Sequence, residues 1–205
     1  MNNLDSLIAH FEQFPGIGAR QARRFAFHIL TLPHADIEKL SGLILGLKES
    51  VAECKSCHRF FARNGGPADL CSICSDQNRD HAKLMIVERD SDITAIERSG
   101  VYDGLYFVLG GTIPLLNTKD TPNLRSGALK GVVAKRCEEG LSEIILAFAV
   151  NPDGENTGRF VESLLKAFIE SKKLRVSELG RGLSTGSELE YADPETIRNA
   201  LLNRH

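Results

Sequence analysis

Residues 54–74 read CKSCHRFFARNGGPADLCSIC and place four cysteines in two paired steps. A C-x-x-C turn presents two thiolates to one ion, and two such turns complete the tetrahedral coordination that zinc prefers. The loop between the pairs contains Asn64-Gly65-Gly66-Pro67, which favours a chain reversal over regular structure. The spacing therefore predicts one structural Zn²⁺ per chain, bound by Cys54, Cys57, Cys71 and Cys74.

Two other interpretations of these cysteines are a pair of disulfide bonds and a coincidental spacing. No signal peptide opens the chain and no long apolar segment could anchor it, so we expect a reducing cytoplasm, where disulfides are rare. Four thiolates leave no open position on the metal, so the ion should hold structure rather than do chemistry. His58 could compete as a ligand, but the regular spacing favours the thiolates; the lone Cys137 is predicted to be a partly buried helix residue.

The distribution of charge is more informative than its total. The chain has 205 residues, 42% of them apolar and 25% charged, with a net charge of −2, which is ordinary for a globular protein and does not indicate nucleic acid. Between positions 13 and 35, however, three arginines and two histidines occur without a single carboxylate. Acidic residues gather instead near two predicted strand ends. A basic segment and an acidic site on one chain predict two different partners.

Residues 1–52 are predicted to be helical and to contain a hairpin. A helix with Leu4, Leu7, Ile8 and Phe11 on one face precedes the breaker Phe14-Pro15-Gly16-Ile17-Gly18. A second helix follows from Ala19 to about Leu32, and a third runs from about Asp36 to Ser50. In the second helix we expect one face to point inward and three arginines to point outward. The inward set is Ala22, Phe25, Ala26 and Ile29, and the outward set is Arg20, Arg23 and Arg24.

The helix–Pro-Gly-Ile-Gly–helix unit resembles a helix-hairpin-helix DNA-binding motif. Gly16 and Gly18 allow close approach of the backbone, and the second helix begins with unpaired N–H groups that can hold a phosphate. Arg20 and Arg24 are four residues apart and share the face beside that point. Such contacts carry little base information, so we expect weak sequence dependence. The alternative is a plain helical hairpin with a solvated arginine face.

Residues 82–175 alternate predicted strands and helices. Strands are expected at 83–87, 105–109, 143–150 and from 174, with helices at 91–99, 125–139 and 157–171. Continuous apolar strands separated by helices indicate a parallel sheet covered on both faces. Functional groups of such sheets collect at the carboxyl ends of strands, where Glu88 and a predicted turn at 151–155 lie.

This layout resembles a Toprim domain, whose enzymes carry a glutamate after the first strand and a magnesium-binding Asp-x-Asp pair after a later one. Glu88 matches the first position. With Asp153-Gly154-Glu155 aligned to the Glu-Gly-Glu that follows the pair, the aspartate positions fall on Ala149 and Asn151, which are poor magnesium ligands. A shifted alignment would instead make Asp153 and Glu155 an acidic pair.

The tail extends the resemblance to the whole chain. Residues 178–193 read ELGRGLSTGSELEYAD and residues 104–111 read GLYFVLGG; with the hairpin and the four cysteines, they are similar to the RecR family of bacterial recombination mediators. The resemblance implies a DNA-binding protein that is not an enzyme and that works in the cytoplasm, at the nucleoid during repair. It implies action with RecO and RecF in loading RecA onto single strands coated by single-strand-binding protein.

The family resemblance also implies roles for particular residues. Arg20 and Arg24, beside Gly16 and Gly18, would face single- or double-stranded DNA, and self-assembly into a dimer or tetrameric ring would use the N- and C-terminal parts. The acidic face that would meet RecO comprises Glu88, Asp92, Asp153 and Glu155. The chain departs from the family where Asn151-Pro152 displaces the usual Asn-Pro and where residues 112–117 replace a Ser-Pro-Leu loop.

The sequence as a whole predicts an α+β protein of several modules. These are a helical hairpin region at 1–52, a four-cysteine zinc module at 53–76, a Toprim domain at 80–175, and a C-terminal strand, turn and helix at 176–205. The last segment could clasp a neighbouring subunit or simply be a packed end. The competing function is a magnesium-dependent nuclease or primase-like enzyme. No tyrosine lies in a topoisomerase-like setting, because each of Tyr102, Tyr106 and Tyr191 is better explained by packing.

Overall fold

The computed structural model describes residues 2–63, 69–115, 124–180, 182–183, 186, 190 and 192–202. The chain divides into two compact units, Met1–Val51 and Ala52–His205. Within the described residues, no helix combines the length and the apolar character needed to cross a membrane.

The first unit consists of three helices, α1 (Asn3–Glu12), α2 (Ala19–Thr31) and α3 (His34–Ser50). Helix α2 meets α1 through its smallest side chains, since Ala22 and Ala26 are fully buried. The prediction that Phe25 points inward holds only in part. Its ring packs edge-on against Phe11 at 5.9 Å, yet the residue is 38% exposed, because the two alanines already occupy the line of closest approach. Helix α3 has no buried residue.

The second unit begins with a small module that has little regular structure. Strands β1 (Val51–Glu53) and β2 (Phe60–Ala62) pair with each other, and the single-turn helix α4 (Ser72–Ser75) follows. All four cysteines of the two C-x-x-C steps are buried in this module. So short an element cannot build an apolar core of its own, and its order depends on what holds the cysteines together.

The rest of the second unit is a parallel sheet of four described strands, β3 (Asp80–Val87), β4 (Gly104–Val108), β5 (Glu143–Ala147) and β6 (Arg175–Glu178). The strand order is β4-β3-β5-β6, and in the central register Ile86 lies opposite both Phe107 and Leu146. Helices α5 (Asp90–Ser99), α6 (Ser126–Glu138) and α7 (Pro152–Lys172) connect the strands, and α8 (Pro194–Leu202) ends the described chain. This confirms the predicted fold class. The helices add these residues to the buried core: Ile93, Leu129, Val133, Val161 and Leu165.

The structure corrects the prediction for residues 148–155. Strand β5 ends at Ala147 rather than Val150, and the expected turn at 151–155 is the start of α7. The Asn151 side chain caps the helix by accepting a hydrogen bond from the N–H of Gly154 at 2.8 Å, and Pro152 occupies the first helical turn. Asn, Pro, Asp and Gly favour turns, but Asn at the cap followed by Pro is equally a signal for a helix start.

Gly154 provides the first testable prediction. A Cβ at this position would collide with the carbonyl oxygen of Ala149, so Gly154→Ala should shift the start of α7 and lower the free energy of unfolding by about 1–3 kcal/mol. Gly131→Ala is the matched control, because Gly131 lies in the middle of α6 with nothing within 4 Å of the added Cβ. That variant should raise stability by roughly 0.5–1 kcal/mol. Urea unfolding measures both, and equal effects of the two changes would contradict the close packing at Ala149.

Candidate functional sites

The two C-x-x-C steps converge on one point. The four Sγ atoms all lie within 4.8 Å of one another, and those of Cys57 and Cys71 are 3.6 Å apart. A disulfide requires about 2.05 Å between sulfurs, and all the cysteines are free. Four thiolates about 2.3 Å from one zinc ion would be roughly 3.8 Å from each other. The donor type, number and spacing therefore fit a tetrahedral metal ion such as Zn²⁺, with no ligand position left open.

Backbone hydrogen bonds shape each cysteine step for this convergence. The N–H of His58 donates to the carbonyl of Cys54 at 2.9 Å, and the N–H of Ser75 donates to that of Cys71 at 3.0 Å. The N–H of Cys71 points at the sulfur of Cys54 at 3.4 Å, a contact that favours the thiolate. His58 takes the left-handed conformation with φ of +62° and reverses the chain towards β2.

The electrostatics of the cluster favour cation binding. Hydrogen bonds from the thiols of Cys57, Cys71 and Cys74 hold the pKa of Cys54 well below its usual range, whereas donation to Cys54 raises the pKa of Cys57. The buried sulfurs therefore share protons that a metal ion would displace, so metal binding should release protons and weaken in acid.

Neither His58 nor Cys137 belongs to this cluster. The Nδ1 atom of His58 lies 2.9 Å from Oε1 of Glu53, and its ring packs edge-on against Phe107. Cys137 is half-buried on α6, and burial raises the pKa of its thiol, which makes it a poor nucleophile. Among the described residues, the four cysteines are the one group of three or more His, Cys, Asp or Glu side chains arranged to share an ion.

The hairpin residues lie around the start of α2. Gly16 has φ of +75°, a conformation that glycine adopts without strain, and Gly18 is the N-cap of α2. Because Gly18 has no side chain to cap the helix, the first N–H groups of α2 stay available. Arg20 and Arg24 are both exposed on α2, and Nη1 of Arg24 donates to Oε1 of Gln21 at 3.5 Å.

Three of the four acidic candidates make contacts shorter than 3 Å. Glu88 is paired at 2.7 Å with Nη2 of Arg89 and its side chain is 16% exposed. Asp92 accepts a hydrogen bond from the N–H of Arg89 at 2.8 Å and so caps α5. Asp153 accepts one from the N–H of Leu115 at 2.9 Å. Glu155 lies 3.8 Å from Nη2 of Arg159.

The strand ends form a cleft that the sequence did not reveal. This strand-end cleft is lined by Glu88 and Asp90 after β3, by Phe60 of β2, and by Arg125 just before α6. The two carboxylates of the cleft are each engaged with a different neighbouring group and do not converge on one point. The role of Arg125 could not be predicted from the sequence, because its partner Glu53 lies 72 positions earlier (125 − 53) and belongs to no local pattern with it.

Three family models match parts of this chain. The family model "RecR, helix-hairpin-helix" matches residues 4–46, "Toprim domain" matches 82–178, and "RecR, C-terminal" matches 182–205. The chain is 35% identical over 202 residues to recombination protein RecR of Moorella thermoacetica, covering 98% of this chain and 96% of that protein. It is 34% identical to the RecR of Chlorobium limicola over 98% of this chain and 95% of that protein. It is 35% identical to that of Tropheryma whipplei, over 98% and 96%.

The cysteine cluster provides the second prediction. Cys57→Ala removes one of four ligands, so purified protein should lose its bound zinc and the second unit should lose more than about 4 kcal/mol of stability. Cys137→Ala is the matched control and should keep one zinc ion per chain. Elemental analysis and thermal unfolding of both variants check this. Full zinc content and an unchanged melting profile in Cys57→Ala would contradict the structural role of the metal.

Proposed function

This chain belongs to the RecR family of recombination proteins, and from that membership we propose that it binds DNA and acts in recombinational repair without catalysing a reaction. The proposal rests on the similarity of 98% of this chain to proteins named for recombination. The helix-hairpin-helix is among the parts that match. The finer proposal is that the chain acts in the cytoplasm with RecO and RecF to load RecA onto coated single strands, and that its four cysteines hold zinc.

The N-terminal hairpin supports DNA binding. An uncapped helix start beside two exposed arginines offers backbone donors and positive charge to a phosphate, and the first turn of α2 has no acidic residue to oppose it. These groups contact backbone rather than base edges, so binding should be nearly independent of sequence.

The strand-end carboxylates support a binding role over catalysis. A Toprim enzyme needs several carboxylate oxygens free to hold magnesium. Here Glu88 is paired with Arg89, and Asp153 holds the backbone of Leu115. Ala149 and Asn151 occupy the two aligned aspartate positions. The Toprim match and the retained Glu88 still favour a magnesium-dependent nuclease or primase-like enzyme as the second candidate.

Helix α3 supports self-assembly through the N-terminal unit. It has no buried residue, and Leu43, Ile44 and Leu45 are all at least 60% exposed. Adjacent exposed apolar side chains on one helix are typical of a surface that another subunit covers. We propose a dimer that can extend to a tetrameric ring, which would bring several copies of Arg20 and Arg24 to one DNA molecule.

The third prediction concerns DNA affinity. Arg20→Ala combined with Arg24→Ala should weaken DNA binding similarly for unrelated sequences, and each lost contact with a single strand should flatten the slope of log affinity against log salt by roughly 0.7. Zinc content and subunit assembly should not change, because exposed arginines contribute little to stability. Fluorescence anisotropy across a salt series, with light scattering on the same sample, measures both.

The matched control for charge is Arg98→Ala combined with Lys166→Ala, two exposed cations on helices of the second unit. It removes the same formal charge and should leave the salt slope unchanged. If the arginine variant instead dissociates while its remaining oligomer keeps the wild-type salt slope, α2 serves subunit contact and not DNA.

The fourth prediction concerns the acidic face. Glu88→Ala combined with Glu155→Ala should weaken RecO binding by up to about fivefold per charge pair lost with the partner and leave DNA binding intact. Glu162→Ala combined with Glu170→Ala, two exposed carboxylates further along α7, is the control and should change neither. Calorimetric titration with RecO of the same bacterium measures the effect. Magnesium-dependent DNA cleavage by the wild type that vanishes in the first variant would show an enzyme instead.

A further inference from the structure

The cysteine module is hydrogen-bonded directly to the sheet at the carboxyl ends of its strands, where Glu88 lies. The N–H of Val108, the last residue of β4, donates to the carbonyl oxygen of the cysteine Cys57 at 2.8 Å. The N–H of Phe60 in β2 donates to Oδ1 of Asp90, the first residue of α5, at 2.6 Å. The cysteine module therefore positions the end of β4 and the start of α5, the helix that follows β3.

Arg125 joins the same two parts through its side chain. Its Nε atom lies 3.1 Å from Oε1 of Glu53, the residue before the first cysteine, and its Nη1 donates to the carbonyl of Val108 at 3.3 Å. The guanidinium also sits 5.9 Å from the ring centre of Phe60. With its side chain only 22% exposed, Arg125 is a partly buried cation that contacts β2, β4 and the cysteine module at once.

Gly110 makes room for this arrangement. It follows β4 with φ of +96°, and a Cβ there would come within 3.1 Å of Nη1 of Arg125. Its N–H donates to the carbonyl of Glu88 at 3.0 Å, so the two strand ends are tied to each other as well as to the cysteine module. The strand-end cleft is therefore composite, with Phe60 from the cysteine module forming one wall and Glu88 from the sheet another.

We propose that the metal ion in the cysteine cluster and a protein partner at the strand-end cleft are energetically coupled. This proposal rests on the proposed partner-binding role of Glu88. With the metal bound, Cys57 holds Val108 in place, and Phe60 and Arg125 complete a docking surface that combines an exposed aromatic ring with a carboxylate. The partner that fits is a basic protein surface with an apolar side chain: its cation replaces the exposed side chain of Arg89 at Glu88, and the apolar group covers Phe60, which is 54% exposed.

Coupling of this kind is reciprocal. If the metal raises partner affinity by a given factor, the bound partner must raise metal affinity by the same factor, and such factors are typically about 5 to 150. Arg125 is the positioning residue of this coupling, because it contacts Glu53 beside the cysteines and Val108 and Phe60 at the cleft without being a metal ligand.

Hydrogen–deuterium exchange on the full chain tests the coupling without a partner. Withdrawing zinc with a chelator under reducing conditions should speed exchange in peptides covering 87–92 and 104–110. Peptides covering β5 and β6, on the other side of β3, should be unaffected. Unchanged exchange at 87–92 and 104–110, or an equal increase in all four strands, would overturn the proposal.

A variant pair tests the docking surface. Arg125→Gln should keep one zinc ion per chain, lose it to a chelator at least about fivefold faster, and bind RecO at least about fivefold more weakly. Arg175→Gln is the matched control, because that arginine pairs with Glu143 at 3.6 Å at the opposite edge of the sheet, and it should change neither quantity. Wild-type RecO affinity and zinc release in Arg125→Gln would overturn the coupling.

A separate outcome distinguishes the coupling from the proposed function. If RecO binds neither the wild type nor any variant, the RecO-binding role fails, and the partner half of the proposal fails with it. The exchange result then still decides whether the metal orders the strand-end cleft. If RecO binds equally well with zinc present and withdrawn, the partner role stands and the coupling is wrong.

Discussion

The convergence of four buried thiols is the constraint on which the second unit depends. In its described residues, the segment that carries them has two three-residue strands and one helical turn, which is too little for order by apolar burial alone. Four sulfurs within 4.8 Å of one another require a cation to balance their charge once they ionise. Because Cys57 and Phe60 are hydrogen-bonded to Val108 and Asp90, any order that a bound metal ion gives the cysteines would reach the ends of β3 and β4.

The sheet holds the carboxyl ends of its strands in place, and the proposed protein-binding surface lies at those ends. Strand β4 and the second half of β3 are buried, so their geometry is set by packing and their carboxyl ends are held in register. At those ends, polar groups are used to tie segments together: Asp153 holds the backbone of Leu115, and Arg125 holds Val108. The role proposed for these strand ends is recognition of another protein, whereas magnesium chemistry would need carboxylates left free for the metal.

Sequence patterns predicted the features that local chemistry controls. The cysteine spacing predicted the cluster, and the apolar runs predicted four parallel strands, because both signals lie within a few residues. The start of α7 was missed because Asn151-Pro152-Asp153-Gly154 suits a turn as well as a helix cap, and only packing against Ala149 decides. Arg125 was missed because its contacts to Glu53 and Val108 are distant in sequence and follow no period.

X-ray absorption at the zinc edge of the purified protein reports the type and distance of the atoms bound to the metal, and so tests the four-cysteine site itself. We expect a single shell of four sulfur atoms at about 2.3 Å from zinc. A shell that includes nitrogen or oxygen at about 2.0–2.1 Å, or a protein that contains no zinc, would contradict it.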